Sequence, residues 1–346
     1  MRHELINYAI GNIEQMKEMM TCLLVCLIVT SVAADEKPNT ISVATWNLEW
    51  FFDDYTGDNS SDLSKKQSAP SREEWQWKLN NAARVVGEMK PTILALQEVE
   101  NRQVIRQLTR KLKDQYQLSY RIAYIEGWDN FTEQDVAIIY RGGLVQYSCR
   151  EQTADMFSSK EFYNLNKHLF ATFEWGEGED KESLTMLTVH LRAMPEKHDL
   201  RQKQVKLIRA WIGERIERGE NVIVLGDFNS EETAEQIQPN SDLAILSGWT
   251  TGPETDDLFD LHNYLEPRLR DTHMGGKQFD RIFASRSVME DAKRVKDLSF
   301  SRVACFKDLV IVGERDNDHF NKFYDIPQAQ RDVSDHYPVM AEFLFK

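Results

Sequence analysis

The parts of this sequence that can do chemistry are acids, amides and imidazoles at the ends of apolar runs. Asn221–Ser230 reads NVIVLGDFNS, four apolar residues followed by Gly226, Asp227, Phe228 and Asn229. A β-branched run bounded by a polar residue and a glycine reads as a buried strand. Gly226 is expected to let the chain turn sharply where the strand ends. On an extended backbone Asp227 and Asn229 share one side, and Phe228 takes the other. A carboxylate and an amide so placed can grip a hard cation or orient a water. The plainer alternative is an Asx turn closing the strand. Other runs end in the same manner, at Asn47, at Gln97-Glu98, at His190, around Asp280 and at Ser334-Asp335-His336. Glu, Asp and Asn supply the oxygen ligands that magnesium prefers. A histidine with a carboxylate on its second nitrogen is an acid/base suited to neutral pH. Each residue also has a structural alternative. Asp335-His336 can be a turn before Pro338, His190 a satisfied core histidine, and Asp280 a partner of Arg281.

These groups need strands to carry them. Ile41–Trp46 predicts a first strand leading into Asn47. Ser71 and Glu74 form a capping box before a helix with Trp75, Leu79, Ala82, Ala83 and Val86 at helical spacing. Thr92–Leu96 is a second strand, followed by a helix from Gln103 to Lys113. Strands are expected near Tyr120–Tyr124, at Val136–Tyr140 (opened by Asp135) and at Leu184–Leu191. His198–Glu217 is a long amphipathic helix. Phe279–Ala284, Val303–Val312 and Tyr337–Phe345 complete the strands, and Cys149–Lys167 carries no clear pattern. Asp53–Pro70 reads as a solvated polar loop, since its acids do not fit a calcium-loop template. Alternating strands and helices argue for one α/β or α+β domain from about residue 36 to the end.

The chain has 346 residues, with 42 Lys plus Arg against 56 Asp plus Glu, a net charge of −14. Bulk charge therefore does not draw nucleic acid to it, although divalent metal at a site inverts the local field. Cys22–Val29 is an apolar run too short to span a bilayer. Ser31-Val32-Ala33-Ala34 suits cleavage after Ala34, so residues 1–34 read as a signal peptide and the protein as secreted or periplasmic. Glu4, Glu14 and Glu18 are out of place in such a segment, and a start at Met16 or Met19 would leave an ordinary short signal. Removal of the segment leaves Cys149 and Cys305, either paired or as two separate buried thiols. No stable membrane insertion after signal removal and no obligate protein partner are expected.

In chain order the motifs are WN, QEV, VHL, GDFN, FDRI and SDHYP. From Trp46 to the C-terminus this pattern resembles the endonuclease/exonuclease/phosphatase superfamily, the group that includes deoxyribonuclease I. The resemblance implies a four-layer α/β sandwich, two packed mixed β-sheets flanked by helices, and metal-assisted hydrolysis of a phosphate ester with Mg²⁺ or Mn²⁺. Glu98 resembles the main metal ligand, with Asn47 and Asp335 beside it. Asp227 and Asn229 are similar to the groups that position the attacking water and hold the phosphate, Asp227 also at a second metal. His336 resembles the catalytic imidazole, Asp280 its carboxylate partner, and His190 the second histidine, which contacts phosphate. With two histidines facing a dianionic site, both are expected to be cationic. Glu133, Gln134 and Asp135 stand where the family often carries a tyrosine, and Asp135 is the residue left to face the phosphate. Arg192, just after His190, is a phosphate contact by charge and place.

The substrate branch is read from what surrounds the motifs. LGDFNS and FDRIFAS lack the tryptophan-containing motifs of inositol phosphatases. VHLRA, followed by Arg201, Gln204 and Trp211-Ile212, resembles secreted bacterial nucleases. The expectation is a secreted metal-dependent phosphodiesterase acting on DNA or RNA. The alternatives are a phospholipid phosphodiesterase or phosphomonoesterase on the same fold, and a catalytically silent binding protein. Trp249 and Trp128–Phe131 are the nearest candidates for membrane docking and read as ordinary surface or core.

Overall fold

Two-sided burial is what the strand sequences dictate. Runs such as ILAL and VIVL are apolar without interruption and ISVATW is broken only by Ser42 and Thr45, as suits strands covered on both faces. The computed structural model describes residues 38–249, 252, 254–289, 298–313 and 319–345. The segment read as a signal peptide, with Cys22 and Cys26, lies outside the described residues. In chain order the strands are β1 (Thr40–Phe51), β2 (Ile93–Val99), β3 (Arg121–Tyr124), β4 (Asp135–Tyr140), β5 (Leu144–Ser148), β6 (His168–Trp175), β7 (Glu182–His190), β8 (Asn221–Asp227), β9 (Leu258–Asp260), β10 (Asp280–Ser285), β11 (Leu298–Cys305) and β12 (Val339–Phe345).

They form two six-stranded mixed sheets, ordered β11-β12-β1-β2-β4-β3 and β5-β6-β7-β8-β10-β9. Each holds one parallel pair, β1 with β2 and β7 with β8, flanked by antiparallel neighbours. Three apolar clusters define four layers. Val43, Ile93, Ala95 and Ile138 of the first sheet meet Leu169, Met186, Ile223 and Ile282 of the second. The alternate residues Ala44, Trp46, Leu94 and Leu96 face the helices Arg72–Met89 and Arg102–Tyr116. Leu187, Val189, Val222 and Val224 face the helix His198–Glu217. The expected four-layer α/β sandwich is the architecture found.

Several local expectations change. The Asp53–Pro70 segment contains a helix, Asp62–Gln67. Asp53 and Asn59 in it are buried, because Glu100 beneath accepts from Asp53 N at 2.9 Å and Asn59 Nδ2 at 2.8 Å. Ser71 caps its helix by accepting from Glu74 N, but the Glu74 carboxylate turns to Arg331 instead of completing the box. In Val303–Val312 the strand stops at Cys305, and Lys307–Val310 is helical. Cys149–Lys167 holds the short helix Ala154–Ser159. The strands β5, β6 and β9 had no prediction. Among them, β6 reads HLFATFEW, whose His, Thr and Glu interrupt the apolar run. Cys149 and Cys305 are separate free thiols, Cys149 exposed. Cys149 directly follows β5 and Cys305 ends β11, on the outer edges of different sheets, each near a carbonyl (His168 and Asp271). Among the described residues no helix is long and apolar enough to cross a membrane.

Candidate active site

The two parallel pairs deliver their polar residues to one edge. In the second sheet, register places His190 of β7 beside Asp227 of β8 and Asp280 of β10 on its other side. In the first, Asn47 of β1 stands beside Gln97 of β2, and both strands leave regular pairing there. Glu98, Glu49 and Trp50 take positive φ of 58°, 49° and 47° at that break. Non-glycine residues held there store strain, which collects where side chains must be aimed. The twist turns Glu98 off the ladder so that Trp50 N–H meets its Oε2 at 2.9 Å.

Asn47 joins the sheets. Its Nδ2 donates to Asp227 Oδ2 at 2.9 Å and to Glu98 Oε1 at 3.0 Å, and lies 3.4 Å from His336 Nε2. His336 Nδ1 is 2.7 Å from Asp280 Oδ2. That leaves Nε2 facing inward, 3.8 Å from both Asp227 Oδ2 and Asp335 Oδ1. His190 Nε2 lies 3.5 Å from Asp227 Oδ2 and 3.8 Å from Glu98 Oε1. Asp280 therefore pairs with His336, and Arg281 turns away to Asp260.

The GDFN turn differs from the extended picture. Asn229 is left-handed, with φ 48°, and its N–H donates to Asp227 Oδ1 at 2.9 Å. The Asx turn and the functional placement are thus the same feature. Asn229 Nδ2 reaches Leu191 O at 3.2 Å, tying the turn to the end of β7, while Phe228 is fully buried against Phe283. Gly226 does not make the turn. Its φ is +142°, and a Cβ there would stand 1.9 Å from Val189 O. A glycine is required because β7 passes so close.

Charge is crowded. Burial, reinforced by Asp335, pushes the Glu98 carboxyl up to about 7. Burial works against Asp227, yet the charge of His336 and the hydrogen bond from Asn47 hold it below the usual carboxylate range. His336 rises well above the ordinary histidine value, since Asp280, Asp335 and Asp227 outweigh its burial. Burial, with Lys167 nearby, takes His190 down to about 3. The two histidines therefore differ, His336 cationic and His190 neutral, where both were expected to be charged.

The residues present fit a divalent cation. Oxygen donors predominate, and Glu98, His190 and Asp227 bring ligand atoms within 4.8 Å of one another. Asp335 Oδ1 is buried without a hydrogen-bond partner. Too many carboxylates for the cations at hand is what a hard metal relieves.

Of the residues singled out from sequence, Asn47, Glu98, His190, Asp227, Asp280, Asp335 and His336 converge, with Asn229 bracing the rim. Arg192 is exposed at that rim. Its N–H is held by Gln204, and its carbonyl by Arg201. Asp135 does not join. Its carboxylate takes the Tyr124 hydroxyl and Gly127 N–H, inside the β3–β4 connection. A carboxyl committed there, and raised by burial to about 7, is no phosphate contact, so that expectation is withdrawn. Three residues were missed. His273 Nε2 is 3.4 Å from Asp335 Oδ2, and its ring packs 4.8 Å from that of His336. Glu49 accepts from Asp335 N at 3.0 Å and meets His319 Nδ1 at 2.8 Å. Lys78 is buried beneath, lowered by that burial to about 8. Glu49, two residues after Asn47 in WNLEW, was the one with a signal to find.

The chain matches the model of the Endonuclease/Exonuclease/phosphatase family over residues 42–344. No curated protein matches it by sequence. Among solved structures, truncated Caenorhabditis elegans TDP2 is 16% identical with a TM-score of 0.52, the match covering 90% of this chain and 100% of that one. The human Nocturnin catalytic domain with bound sulfate anion is 15% identical with a TM-score of 0.54, covering 90% and 96%. D. rerio TDP2 complexed with single strand DNA product is 16% identical with a TM-score of 0.52, covering 88% and 99%. At these identities the likeness is one of fold.

Proposed function

The chain belongs to the endonuclease/exonuclease/phosphatase family, and from that premise we propose that it is a divalent-metal-dependent phosphodiesterase that hydrolyses nucleic acid outside the cytoplasm. The carrying observation is the buried His336–Asp280 pair facing the Asn47–Glu98–Asp227 cluster. Glu98, Asp335 and Asp227 would hold Mg²⁺ or Mn²⁺; Asn47, expected beside them as a ligand, instead turns its amide N–H groups to the carboxylates while its Oδ1 accepts from Glu49 N at 2.9 Å. When bound, such an ion offsets charge developing on the phosphoryl oxygens.

The chain's own groups do the rest. Asp280 fixes the proton on His336 Nδ1 and orients the ring. His336 Nε2 then handles the proton at the reacting oxygen. Asp227, kept ionised, orients the attacking water. Asn47 ties Asp227 and Glu98 together through its Nδ2. His190, neutral, offers a hydrogen bond to a phosphate oxygen without adding charge, and Arg192 at the rim steadies the neighbouring phosphate. The nucleic-acid reading draws support from the zebrafish TDP2 relative, whose complex contains a single strand DNA product. Export rests on the leader-like sequence of residues 1–34.

The test is release of acid-soluble nucleotide from plasmid DNA and from RNA, with Mg²⁺, with Mn²⁺ and with EDTA. Metal-dependent release is expected. A second reading, a phospholipid phosphodiesterase, is favoured by the exposure of Trp128 and Phe131. Folded protein that releases nothing from nucleic acid but cleaves sphingomyelin would replace the first reading with this one.

A further inference from the structure

The loop between β3 and β4 presents an arrangement that the reaction chemistry does not explain. Trp128 is 79% and Phe131 69% exposed, yet the backbone carrying them is braced. Asp129 Oδ1 accepts from Phe131 N at 3.0 Å and Thr132 N at 3.1 Å. Lys167 Nζ lies 3.0 Å from Asp129 Oδ2, 2.8 Å from Thr132 Oγ1 and 3.0 Å from Gln134 Oε1. Glu133 takes the N–H groups of Ser60 and Ser61, both at 2.7 Å. A Cβ at Gly127 would stand 2.2 Å from Asp135 Oδ1, so the loop base is closed as well. Two large rings are thus held out to water by a stitched support.

The loop also borders the site. Asp135, at its end, pairs with Val99, the residue after Glu98. Lys167, its anchor, accepts the His190 N–H through its carbonyl at 3.0 Å. The brace therefore spans both sheets beside the reacting residues. A cavity of about 470 Å³ beside the loop is lined by six carboxyls with Arg102 and Arg106. Asp129 is paired with Lys167, and burial raises Glu100 to about 8 and Asp135 to about 7, which leaves Asp58, Glu126 and Glu133 as the unpaired acids. Glu126, Asp129 and Glu133 of the loop are among the six.

Resting on the nucleic-acid reading above, we propose that Trp128 and Phe131 are a stacking platform for unpaired bases next to the scissile phosphate, and that the protein selects single strands over duplex. The charge distribution decides what lies there. With Asp58, Glu126 and Glu133 against Arg102 and Arg106, the rim offers phosphate no net attraction, so a sugar-phosphate chain gains nothing by tracking along it. It offers an anionic membrane no more. The uncharged face of a base needs no such attraction, and every base has one. A single strand can swing its bases onto the rings while its backbone stays at the metal site. A duplex hides its bases and brings a second row of phosphates toward the acids. The rigid mount keeps the ordering cost of stacking low.

The experiment compares kcat/KM for a short single-stranded oligonucleotide, its duplex and bis(p-nitrophenyl) phosphate, all with Mn²⁺. The proteins are wild type, the Trp128→Ala/Phe131→Ala double variant and Trp128→Phe. We expect the double variant to lose about tenfold more on the single strand than on the small ester, chiefly through KM. Trp128→Phe should recover most of it, and wild type should favour single strand over duplex. Equal losses on oligonucleotide and small ester overturn the platform, as does a duplex preference in wild type. If wild type cleaves the small ester but no nucleic acid, the nucleic-acid reading itself fails and the platform with it. If the double variant instead loses binding to phosphatidylcholine vesicles while its oligonucleotide KM holds, the loop is a membrane anchor and the proposal is wrong.

Discussion

His336 carries the sharpest consequence at the level of single residues. Its Nδ1 is committed to Asp280 and its Nε2 faces the cluster, so His336→Ala removes the group proposed to handle the proton. Acid–base groups contribute about 10²–10⁴-fold, and kcat should fall by that order while the melting temperature stays within a few degrees. Undiminished turnover would remove His336 from the mechanism. The motif residues were legible because a polar group at the end of a buried apolar run is costly without a use. His273 was not. It lies in the turn DTHMGGK, and only its bridge to His336 brings it to Asp335. Asp135 was misjudged because a strand start gives no sign of Tyr124 and Gly127, which claim its carboxylate.

At the scale of elements, the packing of β8 against β7 is the feature to test. Gly226→Ala puts a methyl 1.9 Å from Val189 O at φ +142°. We expect about 2–4 kcal/mol of destabilisation in urea unfolding, and an unchanged midpoint would mean that the strands part freely. β6 offers a second test. His168 is buried, stacks on Trp211, and accepts from Arg150 N at 2.8 Å through Nε2. Burial lowers it to about 4. The folded state thus binds the proton less well than the unfolded chain, whose histidine titrates near 6.5. Stability from this group is full above about pH 6.5 and is lost as pH falls toward 4. Between pH 7.5 and 5 the melting temperature of wild type should drop more steeply than that of His168→Gln; parallel slopes would refute the linkage. The helix His198–Glu217 was read with its observed bounds, because its apolar residues fall on one stripe.

For the molecule as a whole, the carboxylate excess links stability to metal. A cation that binds only the folded state adds about 2.7 kcal/mol at a hundredfold excess over its Kd. Mg²⁺ or Mn²⁺ should therefore raise the melting temperature, and EDTA should reverse it. Glu98→Gln should lose the metal-dependent rise, since an amide replaces a carboxylate whose two oxygens face Asn47 Nδ2 and Trp50 N–H in the cluster. A full rise in Glu98→Gln would take Glu98 out of the ligand set.

What the sequence determined by itself was everything written within a few neighbouring residues. Apolar runs and helical stripes were enough for one α/β domain, and the order of the motif ends, through the family resemblance it carries, was enough for the four layers and for most of the converging residues. The tertiary structure decided whatever depends on neighbours distant in the chain. It placed Asp227 between His190 and Asp280, put Asn47 across the two sheets, assigned Gly226 to a close approach instead of a turn, and left His336 cationic beside a neutral His190. Those outcomes come from burial and Coulomb terms among groups up to about 290 residues apart, and such terms have no local signature.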